Sequence, residues 1–154
     1  MTAVKISAKE EYGLRCMLQL ASRASEQDTV TVKEIADHEG LSTAYVGKLL
    51  WTLSRAGLTV SVRGVEGGYR LARDPSTISL GDVLRALGGL PSSAGSGFCG
   101  QFPGATVCCV HMPNCTLHSV WSGIMTQVQS VLDQTPLSAL ISRTRSAKEP
   151  ASVA

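Results

Sequence analysis

Four of the five cysteines and two of the three histidines in this chain lie between Phe98 and Trp121, in the stretch FCGQFPGATVCCVHMPNCTLHSVW. The thiols are spaced Cys99-x8-Cys108-Cys109-x5-Cys115, with His111 between and His118 following as Cys115-x2-His118. Thiolate sulfur and imidazole nitrogen are ligands for soft and borderline metals. A tetrahedral zinc site would take three Cys and one His. An iron–sulfur cluster would take three thiolates and one weaker ligand. Structural zinc sites favour closely paired cysteine knuckles, and the one close pair here, Cys108-Cys109, is adjacent and sterically ill suited to one metal. Loose spacing broken by Gly100, Pro103, Gly104 and Pro113 suits a cluster cradle better. A metal-free thiol switch is the third chemistry these residues allow.

The compartment bears on that choice. The opening MTAVKISAKEEYG has no apolar signal-peptide core, and no apolar run is long enough to span a membrane. A reducing cytoplasm is therefore expected, where clustered cysteines serve as ligands or redox groups more often than as bridges. An odd count also fits a disulfide framework poorly. A thiol-based redox enzyme is the competing class. The chain has no Cys-x-x-Cys, no βαβ pattern and no Gly-rich phosphate loop to support one, so no enzyme is expected.

The elements before the cysteines are well signalled. Ser7-Ala8-Lys9-Glu10 has the form of a capping box, followed by a helical stripe of Leu14, Met17, Leu18 and Ala21, with Cys16 off the stripe as a small buried hydrophobe. A second box at Thr31-Val32-Lys33-Glu34 opens a short helix closed by Gly40. Ser42 and Thr43 then cap a helix from Ala44 to Ala56, with Tyr45, Leu49, Leu50 and Leu53 inward and Gly57 at its end. Helix, Gly turn, helix is the helix-turn-helix pattern.

The period next changes from helical to alternating. Leu58, Val60 and Val62 alternate with Thr59, Ser61 and Arg63, which predicts a half-buried strand. RGVEGG turns the chain, and YRLA returns as a second strand. A hairpin directly after a helix-turn-helix is a wing. Ser79-Leu80-Gly81-Asp82 starts another helix, with Leu80, Val83, Leu84 and Leu87 on one face. GGLPSSAGSG reads as a flexible loop. Past the cysteines, Val120, Ile124, Val128 and Val131/Leu132 predict a helix from near Thr116 to Gln134. Its apolar stripe has no evident cover within the chain, so a partner subunit is expected. Thr135-Pro136 restarts a short helix, with Pro at the first helical position.

The expected fold is mainly α with a small β-hairpin, a winged helix-turn-helix plus a long C-terminal dimerisation helix. Its organisation is a DNA-binding unit over 1–90, a Cys-rich cluster-binding loop over 91–118, a dimerisation region over 119–142 and a disordered tail over 143–154. Charge supports a DNA-binding unit. Residues 40–73 carry five Lys or Arg against Glu66 alone, whereas residues 1–39 carry five against seven acids. A local excess of that kind marks a phosphate-facing surface.

Three segments in this order resemble the Rrf-two family of bacterial winged-helix transcription regulators: KISAKEEYGLRCMLQLA, LSTAYVGKLLWTLSRAGLTVSVRGVEGGYRLAR, and the Cys…Cys-x5-Cys cluster before a long helix. The resemblance runs over roughly residues 4–140 and is most specific in the wing. It implies a cytoplasmic homodimer, crossing its long helices, that binds a double-stranded DNA operator. It also implies control by a 2Fe–2S or 4Fe–4S iron–sulfur cluster that reads iron, redox state or nitric oxide. Carried over by position, Cys99, Cys109 and Cys115 are the three cluster cysteines, with Cys108 the alternative second. His118 of CTLH is the first candidate fourth ligand, and Glu11 of the partner's first helix the second. The alternatives are a zinc-stabilised regulator without sensing and a thiol-based redox protein.

The expected DNA contacts are Ser42, Thr43, Ala44, Tyr45 and Lys48 at the start of the recognition helix, with Arg63 of the wing reaching a minor groove. Tyr45 has an equal claim to be core. Gly47 is a departure from the family, because a larger polar residue usually stands there for base contact.

Overall fold

Side-chain caps decide where the helices begin. In the computed structural model, which describes residues 6–24, 29–64, 67–89 and 115–148, three helices open on reciprocal capping boxes. Helix α1 (Ala8–Ser22) is capped by Ser7 with Glu10, α2 (Val32–Glu39) by Thr31 with Glu34, and α4 (Leu80–Leu87) by Ser79 with Asp82. Each box satisfies two backbone N–H groups that the first turn leaves without partners. Between α2 and α3 (Thr43–Arg55) the chain turns at Gly40, whose φ of 66° is left-handed and costs a residue with a Cβ about 1–2 kcal/mol. Ser42 alone is the cap of α3, its hydroxyl accepting from the N–H of Tyr45 at 3.3 Å.

The hairpin pairs β1 (Thr59–Val62) with β2 (Gly68–Leu71), Thr59 opposite Leu71 and Val62 opposite Gly68. A short antiparallel bridge adds Val30 beside Tyr69, with N–H···O bonds of 2.9 and 2.8 Å in both directions, so the wing is anchored to the residues just before α2. The expected burial of β1 needs correction. Val60 and Val62 are 38% and 37% exposed, while Thr59 is buried and donates its hydroxyl to the carbonyl of Leu50 at 3.3 Å. The base of the ribbon, Leu58, Thr59 and Leu71, is buried in the core, and Tyr69 of β2 packs against it half-buried. Beyond it a two-stranded wing has no second layer to pack on.

Helix α1 is the hub of the core and touches α2, α3, α4, α6 and β2. Neighbours on several sides shift its burial away from the expected stripe. Gly13, Cys16, Met17, Leu20 and Ala21 are buried, and Leu14 and Leu18 are only partly so. Cys16 is a fully buried hydrophobe.

Helix α5 (Thr116–Asp133) has no buried residue, and Leu117, Val120, Trp121, Ile124 and Val131 are exposed along it. Its far end is fastened down. Asp133 pairs with Arg85 of α4 at 2.8 Å, and the carbonyl of Thr135 accepts from the N–H of Leu80 at 2.9 Å. Helix α6 (Leu137–Lys148) follows, starting one residue after Pro136. Leu137 is wholly buried among the α1–α4 core residues and donates its N–H to Ile78 at 2.9 Å. The winged-helix core therefore closes with a residue from beyond position 90. The helix also continues through 143–148, the start of the span expected as a tail. Once Leu137 fixes the first turn, each further residue adds a hydrogen bond at little cost.

Candidate nucleic-acid interface and metal-ligand positions

The buried side of α3 consists of Val46, Leu49, Leu50 and Leu53. At about 100° per residue, the opposite side carries Ala44, Lys48, Trp51 and Arg55, all exposed. Ser42 and Thr43 are exposed at the helix N-terminus, where backbone N–H groups face outward and favour anions. Ser42, Thr43, Ala44 and Lys48 thus lie on one accessible surface. Tyr45 differs from them. It is half buried against the core, its ring edge-on to Tyr12 at 6.2 Å and 84°, so packing fixes it.

Arg63 is exposed at the end of β1, and Arg70 is exposed on β2 opposite Val60. Among the five cations of 40–73, Arg73 lies 3.8 Å from Asp82. Lys48, Arg55 and Arg70 are exposed and form no ion pair with a described acidic side chain.

Two residues of this surface gain weight only from the fold. Trp51 is 56% exposed, and the Arg55 guanidinium carbon sits 5.2 Å from the centre of its ring. A helical projection through Lys48 would have found Trp51, but an aromatic at helical spacing reads first as core.

Of the expected metal ligands, Cys115, His118 and Glu11 are described; Cys99, Cys108, Cys109 and His111 lie outside the described residues. Cys115 is the N-cap of α5, half-exposed, and its Sγ accepts from the backbone N–H of His118 at 3.4 Å. His118 stands in the first turn of the same helix, with Nε2 3.4 Å from the Ser122 hydroxyl. A half-exposed sulfur with an N–H donor behind it and an imidazole one turn away is a donor set that fits an iron–sulfur ligand pair. Glu11 is held by Arg15 at 2.9 Å, an i,i+4 pair on α1. Arg15 also reaches toward Glu39 of α2 at 3.7 Å. Among the described residues no group of three or more His, Cys, Asp or Glu side chains could hold a metal. No described helix is long and apolar enough to cross a membrane.

A family model described as Rrf2, iron-dependent transcriptional regulator, matches residues 6–143. The chain belongs to the Rrf2 family. It is similar to Protein rrf2 of Nitratidesulfovibrio vulgaris, with 34% identity over 77% of this chain and 74% of that protein. It is also similar to the HTH-type transcriptional regulator CymR of Bacillus subtilis, with 35% identity over 95% of this chain and 96% of that protein. The CymR structure, titled the global cysteine regulator of B. subtilis, superposes with a TM-score of 0.72 at 34% identity, covering 90% of this chain and 97% of that one. The T. potens IscR structure superposes equally well, at 0.72 and 33% identity, covering 95% of this chain and 92% of that one. The winged-helix architecture expected of an Rrf2 regulator is thus the observed one, and the chain is a member of a family of transcriptional regulators.

Proposed function

We propose that this Rrf2 chain is a homodimeric transcription regulator that binds a double-stranded DNA operator, and that an iron–sulfur cluster sets its operator affinity. The observation that carries the DNA reading is the exposed outer face of α3, where Lys48 and Arg55 form no ion pair with a described acidic side chain, beside a hairpin whose first strand leads into exposed Arg63. Ser42 and Thr43 position the helix N-terminus on phosphates. Lys48 reaches a phosphate or a guanine edge, and Arg63 a minor groove. The exposed stripe of α5 is the surface for a second copy. Two recognition helices about one DNA turn apart would then enter successive major grooves.

Cys99, Cys109, Cys115 and His118 would hold the cluster, with Cys108 and the partner's Glu11 as alternatives. Bound there, it supplies a centre that can be reduced, lost or nitrosylated. Cys115 and His118 would tie that state to the start of α5. The other end of α5 is tied to α4 through Arg85 and Asp133 and to the core through Leu137. A route would thus run from Cys115 and His118 along α5 to the unit that carries α3.

Anaerobically purified protein should be brown, with sulfur-to-iron charge-transfer bands and stoichiometric iron. Operator affinity should differ roughly 5–150-fold between cluster-bound and cluster-free protein, the range of ordinary allosteric coupling. Equal affinities would leave the cluster as structure only. A second reading, favoured by the likeness to CymR, is a regulator that responds without a metal. Colourless, metal-free protein whose DNA affinity changes with thiol oxidation would support it, and colourless protein with bound zinc would support a zinc-stabilised regulator.

A further inference from the structure

We propose that Trp51 is a base-reading residue that selects thymine through its 5-methyl group, with Arg55 held on the indole face for the flanking phosphate. The inference rests on the DNA-binding reading above. Its first support is position. Ala44, Lys48, Trp51 and Arg55 fall within about 60° of one another around the helix and opposite its buried residues. Its second is Gly47, which borders this stripe. A Cβ there would meet nothing nearer than Val32 Cγ1 at 4.0 Å. No contact within the fold requires a glycine, and a glycine inside an exposed helix costs about 1 kcal/mol relative to alanine. With Ala44 beside it, Gly47 leaves the face flat, so that an outside body can approach the backbone closely.

The chemistry of the surroundings says what that body is. Trp51 is flanked by Lys48 and Arg55 and lies on the cationic segment, so the approaching surface is anionic. The indole N–H can donate a single hydrogen bond to phosphate, but the ring itself needs an apolar partner. The apolar feature of the major groove is the thymine methyl group. Trp51 lies about 10 Å along the axis from Ala44. With α3 lying lengthwise in the major groove, this places the indole about three base pairs along from those that Ala44 meets. Stacking against Arg55 limits the conformations of both side chains before DNA arrives.

The test uses full-length wild-type protein and duplexes that it enriches from a random-core double-stranded pool. Each thymine of an enriched duplex is replaced in turn by deoxyuridine, which deletes only the methyl group. Wild type should lose about threefold to fivefold in affinity at one or two positions, the worth of burying one methyl. Trp51→Ala should be indifferent at those same positions, bind the enriched duplex more weakly, and bind a non-enriched duplex as wild type does. Arg55→Ala should lower the slope of log affinity against log salt by about 1 on both duplexes. The inference is overturned if Trp51→Ala keeps the deoxyuridine sensitivity, or weakens both duplexes equally. A wild-type protein that binds duplex DNA but shows no methyl dependence overturns it too, and leaves the DNA-binding reading standing. A wild type that retains no duplex removes both.

Discussion

The two described thiols have opposite surroundings. Cys16 is wholly buried, and burial, with Glu39 adding to it, pushes its pKa from 9.0 up to about 12. Folded Cys16 therefore keeps its proton over a range in which the unfolded chain has lost it. Stability from this group is fully present below about pH 9 and is lost as pH rises toward 12. Iodoacetamide on the native metal-free protein at pH 8, followed by mass spectrometry, should label Cys115 and spare Cys16 until the chain is unfolded. Labelling of both at equal rates would mean that α1 opens readily. Substitutions should divide the cysteines in the same way: Cys99→Ala, Cys109→Ala and Cys115→Ala should each lose the visible chromophore, and Cys16→Ala should keep it. If Cys108→Ala bleaches the protein and Cys109→Ala does not, the second ligand is Cys108.

The helices were legible in the sequence wherever a local rule set them. Ser7 with Glu10, and Thr31 with Glu34, speak across three residues, and a reader of the chain can hear them. Partners distant in sequence left no such signal. Nothing near Val60 or Val62 says that no layer covers them, nothing near Val30 names Tyr69, and Leu137 gives no sign that α1 awaits it. The thiols and imidazoles of 99–118 stood out in the sequence as candidate ligands, but the exposure of Trp51 did not, because an aromatic at helical spacing looks the same facing inward or outward. Ser42→Ala removes the acceptor for the Tyr45 N–H and should cost about 1 kcal/mol in urea unfolding. It should also weaken DNA binding, because the frayed turn is the one that meets phosphate. Gly81→Ala acts at the other end of the unit. A Cβ there would overlap the Asp133 carboxylate, so the substitution should break the Arg85–Asp133 pair and loosen α5 from α4. The sign to look for is a lower midpoint of thermal unfolding together with a reduced difference in DNA affinity between cluster-bound and cluster-free protein.

Among the described residues, α3 and the hairpin present a cationic face and α5 an apolar one. Leu117, Val120, Trp121, Ile124 and Val131 leave α5 uncovered, and exposed apolar area on this scale marks an interface. Ile124→Asp should shift the protein from dimer to monomer in analytical ultracentrifugation and weaken operator binding. A variant that stays dimeric would place the subunit contact elsewhere. DNA binding should fall steeply with salt, and Arg63→Ala should weaken it by about 1–3 kcal/mol if the side chain reads a groove. Unchanged affinity would put Arg63 off the interface.

The burial of Leu137 also orders the events of synthesis. Helices α1 to α4 leave the ribosome well before Leu137 does, separated from it by the entire cysteine segment and α5. At ordinary elongation rates of about 5–20 residues per second, the nascent DNA-reading unit waits on the order of several seconds with its core unsealed. During that interval the cysteines emerge. The cysteine segment of such a chain is therefore made before the core that carries α3 receives its last buried residue.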